Sequence, residues 1–542
     1  MPRLPTLLRT LWYLRSEQWA GQFRRRLRRG VRPIAHRGPV PSLRVRAPRV
    51  PFLGAPAHVG AEGLRKLRLI NREVAFERGI DWETTEGGPL WTYHLHQFDW
   101  ARSEGLQPDE RLAAIGEWIA RHRKGVGWDA GPTSLRLFAW LKLLLTPGAL
   151  PDSEQSRREV LASLADQLET LAANLETHLL ANHYLWNLLA LVFAGVCLEG
   201  ALADRALAHS DRLLAELAEQ VGADGAHYER SPMYHALLLE NVLDLVNVLA
   251  AAPGRGPDGL EEALRAKAAA MLGALELWTH PDGDIALFGD SALGVAQRPA
   301  DLAALATSLG IAPASPEPRG VLRQAGFVRL ESGPLVVLAS AAAPSPAYQP
   351  GHAHCDALSF ELSVAGRRVV TDTGIYEYVS GDRRRIARST AAHATVVVDG
   401  QEQAELWAAH RVGGRPDVAW THVEPGRSAT GVCAGWATPE VLHKRRFRVD
   451  DGALEIEDGF EIPARKAVLL LPLAPGLEVD LAGTRAGVAI GADTLAIDLP
   501  TAATWEVARA PAYREFGKEV ERDVLVGRAT DLVSARWRFA LA

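Results

Sequence analysis

The sequence predicts an α+β protein in which a helical half precedes an all-β half. Leucine and alanine recur with the helical period from about residue 60 to 310. Beyond about residue 315 the chain changes to short β-branched segments separated by Gly, Pro and Asp. At 542 residues, with 47% hydrophobic and 23% charged residues, it has the size and composition of a folded multidomain protein. We predict a basic arm at residues 1–50, a helical domain at 51–314 and an antiparallel β domain at 315–542.

The arm is distinguished by its charge. Residues 1–50 contain thirteen arginines, no lysine and one acidic residue, Glu17. Arginine pairs with phosphate, sulfate and carboxylate groups, so anionic lipid or an anionic polymer is an expected partner. A solvated arm folded over the acidic exterior of the protein is an equally good interpretation. We expect no nucleic-acid partner because no recognised binding motif accompanies the charge.

The clearest helical pattern is formed by six leucines: Leu161, Leu164, Leu168, Leu171, Leu175 and Leu179. Steps of three and four place these side chains on one stripe of a long helix. A second helix follows through YLWNLLALVFAGVCLEG, and further helices are predicted near 202–220, 234–252 and 258–279. Helical hairpins in series form bundles, solenoids or toroids, and the period does not choose among them.

The all-β half contains FELSV and RRVVTD, which flank an Ala-Gly turn and predict a hairpin. Regularly spaced strands continue to the C-terminus, which favours stacked antiparallel sheets over βαβ units.

The chain shows no disulfide framework and no membrane span. Cys197, Cys355 and Cys433 lie far apart, and no uninterrupted apolar run reaches about 18 residues. The N-terminal LPTLLRTLWYL is too short for a signal peptide and is interrupted by Arg9. We therefore expect a cytoplasmic protein rather than a periplasmic one.

A first candidate site is GHAHCDALSF, in which His352 and His354 are two residues apart. On a strand they would share one face and bind a metal together, or one would bind metal while its neighbour works on a substrate. Asp372 and His393 follow at the edges of predicted strands. His354, Asp372 and His393 are a suitable zinc set, although Asp372 is also explained as a turn residue.

A second candidate lies in ANHYLWN, where an apolar stripe runs into Asn182 and His183. An amide there could hold a carboxylate or an oxyanion, or it could cap a helix. In ERSPMYH, Ser231 and Pro232 predict a helix start that places Tyr234 in the first turn. The positive end of the helix would stabilise a phenolate and favour a proton relay. Tyr228 and His227 are rival residues, and an interfacial aromatic is the structural alternative.

Two aromatic stretches, WTYHLHQFDW and WDAGPTSLRLFAW, line a sugar cleft or belong to the core. HPDGDIALFGDS lacks the full calcium-loop spacing, so we interpret it as a turn supporting the site.

Taken in this order, ANHYLWN, ERSPMYH, GHAHCDALSFEL, TDTG and RSTAAHATVVVDG resemble the heparinase II/III family of bacterial polysaccharide lyases. The resemblance implies an incomplete (α/α) toroid followed by layered antiparallel sheets, a β-sandwich domain, with a cleft between them for an acidic polysaccharide.

Such lyases cleave a 4-linked uronic acid by β-elimination, which requires neutralisation of the carboxylate and an acid and a base near C5 and O4. By resemblance, Asn182 with His183 neutralises the carboxylate, Tyr234 acts as base and acid or as acid alone, and His352 is the second proton acceptor. Which of Tyr234 and His352 takes the proton depends on the epimer at C5.

The resemblance also implies a structural zinc ion beside the active site, held by His354, Asp372 and His393. The chain departs from the family where many relatives read AHNT, because Ala394 replaces the Asn. Its start differs from secreted degradative members and is similar to relatives that make or trim the cell's own surface polysaccharide. The arm would then hold the enzyme at the inner membrane face.

Two alternatives stay open, a non-catalytic polysaccharide-binding or biosynthesis-associated protein of the same fold and a glycoside hydrolase on an (α/α) toroid. The hydrolase requires two opposed carboxylates, whereas these motifs offer His, Asn and Tyr. Neither the uronate polymer nor the oligomeric state follows from the sequence.

Overall fold

The computed structural model describes residues 3–27 and 30–542, so that Arg28 and Arg29 of the predicted arm lie outside the described residues. Most of its helices precede its main sheets: α12 (Pro299–Ser308) ends the helical domain, the first strand of the β domain begins at Val321, and only the short α13 (Asp382–Arg388) among the described helices lies within the β domain. The described helices are α1 (Leu4–Trp12), α2 (Ser16–Leu27), α3 (Pro89–Gln97), α4 (Pro108–Arg121), α5 (Ala130–Leu145), α6 (Glu154–Ala173), α7 (Ala181–Cys197), α8 (Ala201–Leu207), α9 (Ser210–Gln220), α10 (Pro232–Ala251), α11 (Leu260–Leu277), α12 (Pro299–Ser308) and α13 (Asp382–Arg388).

The described part of the arm begins with two short helices that contact both halves of the molecule. From α1, Arg9 forms an ion pair with Glu405 of the β domain. From α2, the Gln18 amide donates to the carbonyl of Leu179, at the end of the loop that follows α6. The arm therefore spans the junction between the two domains.

The prediction of helical structure from about residue 60 is wrong for its first segment. Residues Gly60–Glu62 (β2), Lys66–Leu69 (β3) and Arg72–Ala75 (β4) form a three-stranded antiparallel sheet. Ile70 and Asn71 take positive φ values of 47° and 61°, which close a tight turn between β3 and β4. The side chains of β3 alternate between the core and a more exposed face, as expected for a strand.

The helical domain has the toroid arrangement of helical hairpins. Helix α5 packs against α7, α7 against α10, and α10 against α11, around one large hydrophobic core. The stripe predicted from Leu161 to Leu179 is too long, because α6 ends at Ala173 and leaves Leu175 and Leu179 in the loop before α7.

Helix α10 is the only helix of residues 3–27 and 30–542 that is long and apolar enough to cross a membrane by length and composition. Most of it is buried within the helical domain, where its Asp244 forms an ion pair with Lys142 of α5. It is accordingly a core helix of the domain.

The β domain consists of two main antiparallel sheets with the core between them. Side chains from both sheets form one cluster that includes Val337, Leu362, Phe447 and Phe539. The smaller sheet has the order β10-β9-β8-β7-β6, formed by β6 (Val321–Leu322), β7 (Phe327–Ser332), β8 (Leu335–Ser340), β9 (Phe360–Val364) and β10 (Arg367–Val370). The hairpin predicted around Ala365 is confirmed as β9–β10.

The larger sheet is organised around two long strands, β17 and β22, which pair along most of their length. Its path is β14-β15-β16-β17-β22-β20-β19-β18, with β11 added to β17 and β21 to β22. The remaining strands are β1 (Ser42–Leu43), β5 (Leu198–Glu199), β11 (Val396–Val398), β12 (Leu406–Trp407), β13 (Arg411–Val412), β14 (Asp417–Glu424), β15 (Ser428–Ala434), β16 (Leu442–Asp450), β17 (Ala453–Pro472), β18 (Val479–Ala482), β19 (Arg485–Ile490), β20 (Asp493–Asp498), β21 (Thr504–Ala512) and β22 (Val520–Leu541).

Candidate active site

A cleft of about 1110 Å³ opens between the helical and β domains. Its walls combine polar and aromatic side chains from different parts of the chain, the composition of a binding site for a polar ligand. The arm contributes Arg24 and Arg25, the helical domain contributes Tyr93, His94, Asp129, Glu176, His183, Trp186, Tyr234 and Asn241, and the β domain contributes His352, Tyr378, His410 and Phe516.

Tyr234 lies in the first turn of α10, as predicted. The Ser231 side chain caps this helix by accepting a hydrogen bond from the Tyr234 N–H at 3.3 Å, and Pro232 is the first helical residue. The Tyr234 ring stacks on His352 with centroids 3.9 Å apart, and its hydroxyl lies 2.9 Å from that of Tyr378. Residues from both domains therefore meet at this phenol.

At Tyr234, burial opposes the phenolate that the helix end is predicted to favour. Burial raises the pKa of Tyr234 above its ordinary value, and the hydrogen bond with Tyr378 offsets only part of that increase. Burial therefore favours the protonated phenol of Tyr234 over its phenolate.

His352 and His354 do not share a strand face, because both lie in the irregular segment between β8 and β9. They are brought together by one buried carboxylate. Asp290 Oδ2 lies 2.8 Å from His352 Nδ1, and its Oδ1 lies 2.8 Å from His354 Nε2. Arg384 donates to both carboxylate oxygens. Although burial raises the pKa of Asp290, Arg384 and the imidazoles hold it well below its usual range.

The hydrogen bond to Asp290 decides which nitrogen of His352 can accept a proton. An ionised carboxylate only accepts hydrogen bonds, so Nδ1 of His352 carries the proton that it donates. In the neutral ring Nε2 is then the basic nitrogen, and it lies 3.6 Å from Oε2 of Glu229. Burial raises the pKa of Glu229 above its ordinary value.

Asn182 and His183 lie in the first turn of α7, next to two residues in an unfavourable backbone conformation. Leu180 and Ala181 have φ values of 59° and 53°, which β-carbon-bearing residues seldom adopt. The Asn182 N–H donates to Oε1 of Glu229 at 3.1 Å. Asn182 is buried and does not line the cleft, and neither atom of its side-chain amide has a partner among the described residues. An unpartnered buried amide is costly and is expected where a ligand supplies the missing contact.

His183 differs from Asn182 because it faces the cleft. Its Nδ1 lies 3.5 Å from Oε1 of Glu176. Burial lowers the pKa of His183, but the Glu176 carboxylate raises it more, and the net pKa lies above the ordinary value. The protonated imidazole is therefore favoured at this wall.

Two family models match most of the chain from residue 148 onward. The heparinase II/III N-terminus matches residues 148–301, and the heparinase II/III-like C-terminal model matches residues 314–530. The chain belongs to the heparinase II/III family. The arm and the first helices of this heparinase II/III protein lie outside both matched regions.

Known relatives agree with this assignment. A heparin-sulfate lyase of Pedobacter heparinus is 27% identical over 219 residues, which cover 35% of this chain and 31% of that protein. A crystal structure of heparinase III superposes with a TM-score of 0.67 at 18% identity, covering 86% of this chain and 80% of that one. Heparan sulfate lyase HepC from Pedobacter heparinus gives 0.56 at 20% identity, with coverage of 86% and 79%. These structures have the same toroid and β-sandwich fold.

The predicted metal residues of this heparinase II/III protein form a cluster beside the cleft. One ligand atom from each of His354, Asp372 and His393 lies within 4.8 Å of the others, and all three residues are buried. His393 Nδ1 is 2.7 Å from Oδ2 of Asp372. Nδ1 of His354 and Nε2 of His393 have no partner among the described residues. Two unpartnered imidazole nitrogens and a buried carboxylate fit a divalent metal.

Several predicted alternatives belong to the structure rather than to the cleft. Trp91, Trp100 and Trp140 are core residues, whereas Tyr93, His94 and Phe138 of the same stretches line the cleft, so the two stretches contribute to both. Tyr228 pairs with the hydroxyl of Tyr348 at 2.7 Å and does not line the cleft. The Ala394 side chain lies in the β-sandwich core.

Sequence reasoning missed Tyr378, Arg384 and Glu229, and it assigned Asp290 only to a supporting turn. Tyr378 and Arg384 lie shortly after the TDTG motif. Glu229 stands two residues before the Ser231 cap. No local motif distinguishes these three residues in the sequence. The partners that bring Glu229, Tyr378 and Arg384 into the site are Asn182, Tyr234 and Asp290, which lie more than 40 residues away along the chain.

Proposed function

We propose that this protein is a polysaccharide lyase that cleaves a uronic-acid-containing acidic polysaccharide by β-elimination. The observation that carries the proposal is the contact between Tyr234 and His352, which come from opposite domains and stack at 3.9 Å in the cleft. A phenol and an imidazole at one point supply the acid and the base that elimination requires.

Elimination begins by making the C5 proton acidic enough to remove. The adjacent carboxylate must lose its charge so that the developing enolate is stabilised. His183 offers a protonated imidazole, and Asn182 offers an unpartnered amide beside Glu229. We assign carboxylate neutralisation to these two residues.

Proton transfer then uses the two stacked rings. His352 accepts the C5 proton at Nε2 when the sugar presents that hydrogen toward the β domain. Tyr234 donates its hydroxyl proton to O4 as the C4–O4 bond breaks and the C4–C5 double bond forms. For the opposite C5 epimer, the Tyr234 oxygen accepts the C5 proton while its own hydroxyl proton passes to O4, so that the phenol is regenerated as the C4–O4 bond breaks.

Three arginines of the cleft support an anionic substrate. Arg24, Arg25 and Arg212 line the cleft, and Arg25 lies 3.0 Å from His178. Guanidinium groups recognise carboxylate and sulfate in a bidentate manner. The choice among heparan sulfate, heparosan, hyaluronan, chondroitin, alginate and glucuronan is left to experiment.

We further propose zinc as the metal of the His354, Asp372 and His393 cluster. Two imidazoles and one carboxylate are zinc ligands. The ion would supply positive charge that fixes three loops beside His352. It takes no part in the proton transfers.

The test is a panel of uronate polymers monitored by the ultraviolet absorbance of the unsaturated product. We expect one or more polymers to be cleaved, with kcat reduced about 100- to 10,000-fold in Tyr234→Phe. Tyr228→Phe is the matched control because its hydroxyl also pairs with a tyrosine, but outside the cleft. Binding without product in wild type would replace the lyase by a polysaccharide-binding protein, and a saturated product would indicate a hydrolase.

A further inference from the structure

The arm exposes an unusual number of large apolar side chains. Among the described residues, thirteen large hydrophobic side chains are exposed, and six of them lie between residues 4 and 23. Trp12 is 85% exposed, Leu4 is 68% exposed and Phe23 is 66% exposed. The six are Leu4, Leu8, Trp12, Tyr13, Trp19 and Phe23.

Helix α1 contacts the β domain through its polar side, which in most soluble proteins faces water. Its apolar residues Leu4, Leu8 and Trp12 recur every four positions and form one exposed stripe. Its polar residues make the contacts with the β domain: Thr6 donates to Glu405 at 2.7 Å, and the Trp407 indole donates to Thr10. A surface helix usually buries its apolar stripe against the core. The orientation of α1 therefore leaves an apolar face to be covered by something outside the chain.

Helix α2 repeats this arrangement and adds charge. Gln18 and Gly21 face the helical domain, whereas Trp19 and Phe23, one turn apart, are exposed. Arg24, Arg25 and Arg26 follow in the last turn of the helix. Tryptophan, leucine and phenylalanine beside arginine are typical of helices that lie in the interface of an anionic bilayer.

We propose that α1 and α2 bind the surface of an anionic lipid membrane, with Leu4, Leu8, Trp12, Trp19 and Phe23 inserted at the headgroup boundary. The charge of the arm selects this occupant, because thirteen arginines face one acidic residue in residues 1–50. A second copy of the chain would bring two arginine-rich surfaces together, and their electrostatic repulsion would oppose that contact. The substrate cleft, with Arg24 and Arg25 in its wall, would then lie close to the lipid surface.

The experiment is co-sedimentation of the full-length protein with phosphatidylcholine vesicles, with and without phosphatidylglycerol. We expect binding to the anionic vesicles, weak binding to the neutral ones, and weakening by salt. The double variants Leu8→Ser/Trp12→Ser and Trp19→Ser/Phe23→Ser should each lower the partition coefficient about tenfold or more. The matched control is Val507→Ser/Val533→Ser, which removes two exposed apolar side chains of the β domain.

Unchanged partitioning in both arm variants, or no binding by wild type, would overturn the proposal. A dimer in size-exclusion chromatography with light scattering, abolished by the arm substitutions in a protein that ignores vesicles, would assign the face to a second copy instead. Cleavage of soluble polymer by these variants should equal that of wild type, since none of the four side chains lines the cleft. Membrane binding is thereby tested separately from catalysis.

Discussion

The two walls of the cleft position their functional groups by different physical means. On the helical side, His183 and Tyr234 line the cleft and Asn182 is buried behind its surface; all three stand in the first turns of α7 and α10, and regular backbone geometry fixes their direction. In the β wall, His352 lies in an irregular segment and is oriented by a buried carboxylate and guanidinium. The side-chain amide of Asn182 has no hydrogen-bond partner among the described residues, whereas both carboxylate oxygens of Asp290 accept hydrogen bonds.

This contrast predicts which substitutions lower activity without lowering stability. A side chain that contacts only substrate can be removed without loss of folding free energy. A side chain that neutralises a buried charge cannot be, because its partner remains buried and unpaired. We therefore expect a variant of Asn182 to lose activity alone and a variant of Asp290 to lose both activity and stability.

The largest effect is expected for Asp290→Asn. Arg384 would keep a buried positive charge without its counter-ion, which costs about 3–5 kcal/mol of unfolding free energy. His352 would also lose its acceptor, so cleavage should fall. Chemical denaturation and the product absorbance measure the two effects. Asp284→Asn, which removes an exposed partner of Arg298, is the control and should cost no more than about 1 kcal/mol. Equal stability of the two variants would contradict the contrast between the walls.

Asn182→Ala tests the opposite wall. We expect kcat to fall about 100- to 1,000-fold, as when one donor to a developing negative charge is removed. Stability should stay near that of wild type, since the amide has no partner to lose.

Asn187→Ala is the matched control for that prediction. Asn187 lies on the same helix, but its amide donates to Ser134 and Glu176 and accepts from the Glu176 N–H. This control should lower thermal stability. An Asn182→Ala protein that is destabilised to the same degree and remains active would show that both amides are structural.

Metal binding gives the next comparison, between two buried His–Asp pairs of the β domain. His393 lies 2.7 Å from Asp372, and His443 lies 2.7 Å from Asp458. Of the two pairs, only the first belongs to the three-residue metal-ligand cluster. We expect His393→Ala to weaken zinc affinity by about 100-fold or more and His443→Ala to leave it unchanged. Metal analysis and the shift of melting temperature on chelation provide the measurement, and equal zinc content in both variants would reject the assigned cluster.

The smallest effect concerns the arm. Hydrogen bonds from Arg9 and Thr6 hold the pKa of Glu405 down to about 2, below its ordinary value of 4.5. A lowered folded-state pKa means that this contact stabilises docking above about pH 4.5 and is lost as the pH falls toward 2.

Glu405→Gln should mimic that loss at neutral pH and cost about 1 kcal/mol or less. Hydrogen exchange of α1, corrected for intrinsic rates, is the measurement. Glu506→Gln removes an exposed partner of Arg528 on the β domain and should leave α1 protected. Unaltered protection in Glu405→Gln would mean that other contacts hold the arm.

Local signals predicted much of the fold. Ser231 and Pro232 located the start of α10, and the Ala365–Gly366 turn located a hairpin, because caps and tight turns depend on a few adjacent residues. The same reasoning failed where long-range packing decided the outcome. Residues 60–75 became strands, and α6 stopped at Ala173 before its leucine pattern did.

The sequence by itself determined the order of helical and β domains, and it predicted the residues to which we assign proton transfer and metal binding. Only the tertiary structure decided which groups meet. Asp290 lies 62 residues from His352 and 94 from Arg384, and Tyr378 lies 144 residues from Tyr234. Burial, which is a property of the whole molecule, also raises the pKa of Tyr234 and so opposes the predicted phenolate. Helix caps and residue types are local, whereas desolvation and ion pairing arise only when distant segments pack together.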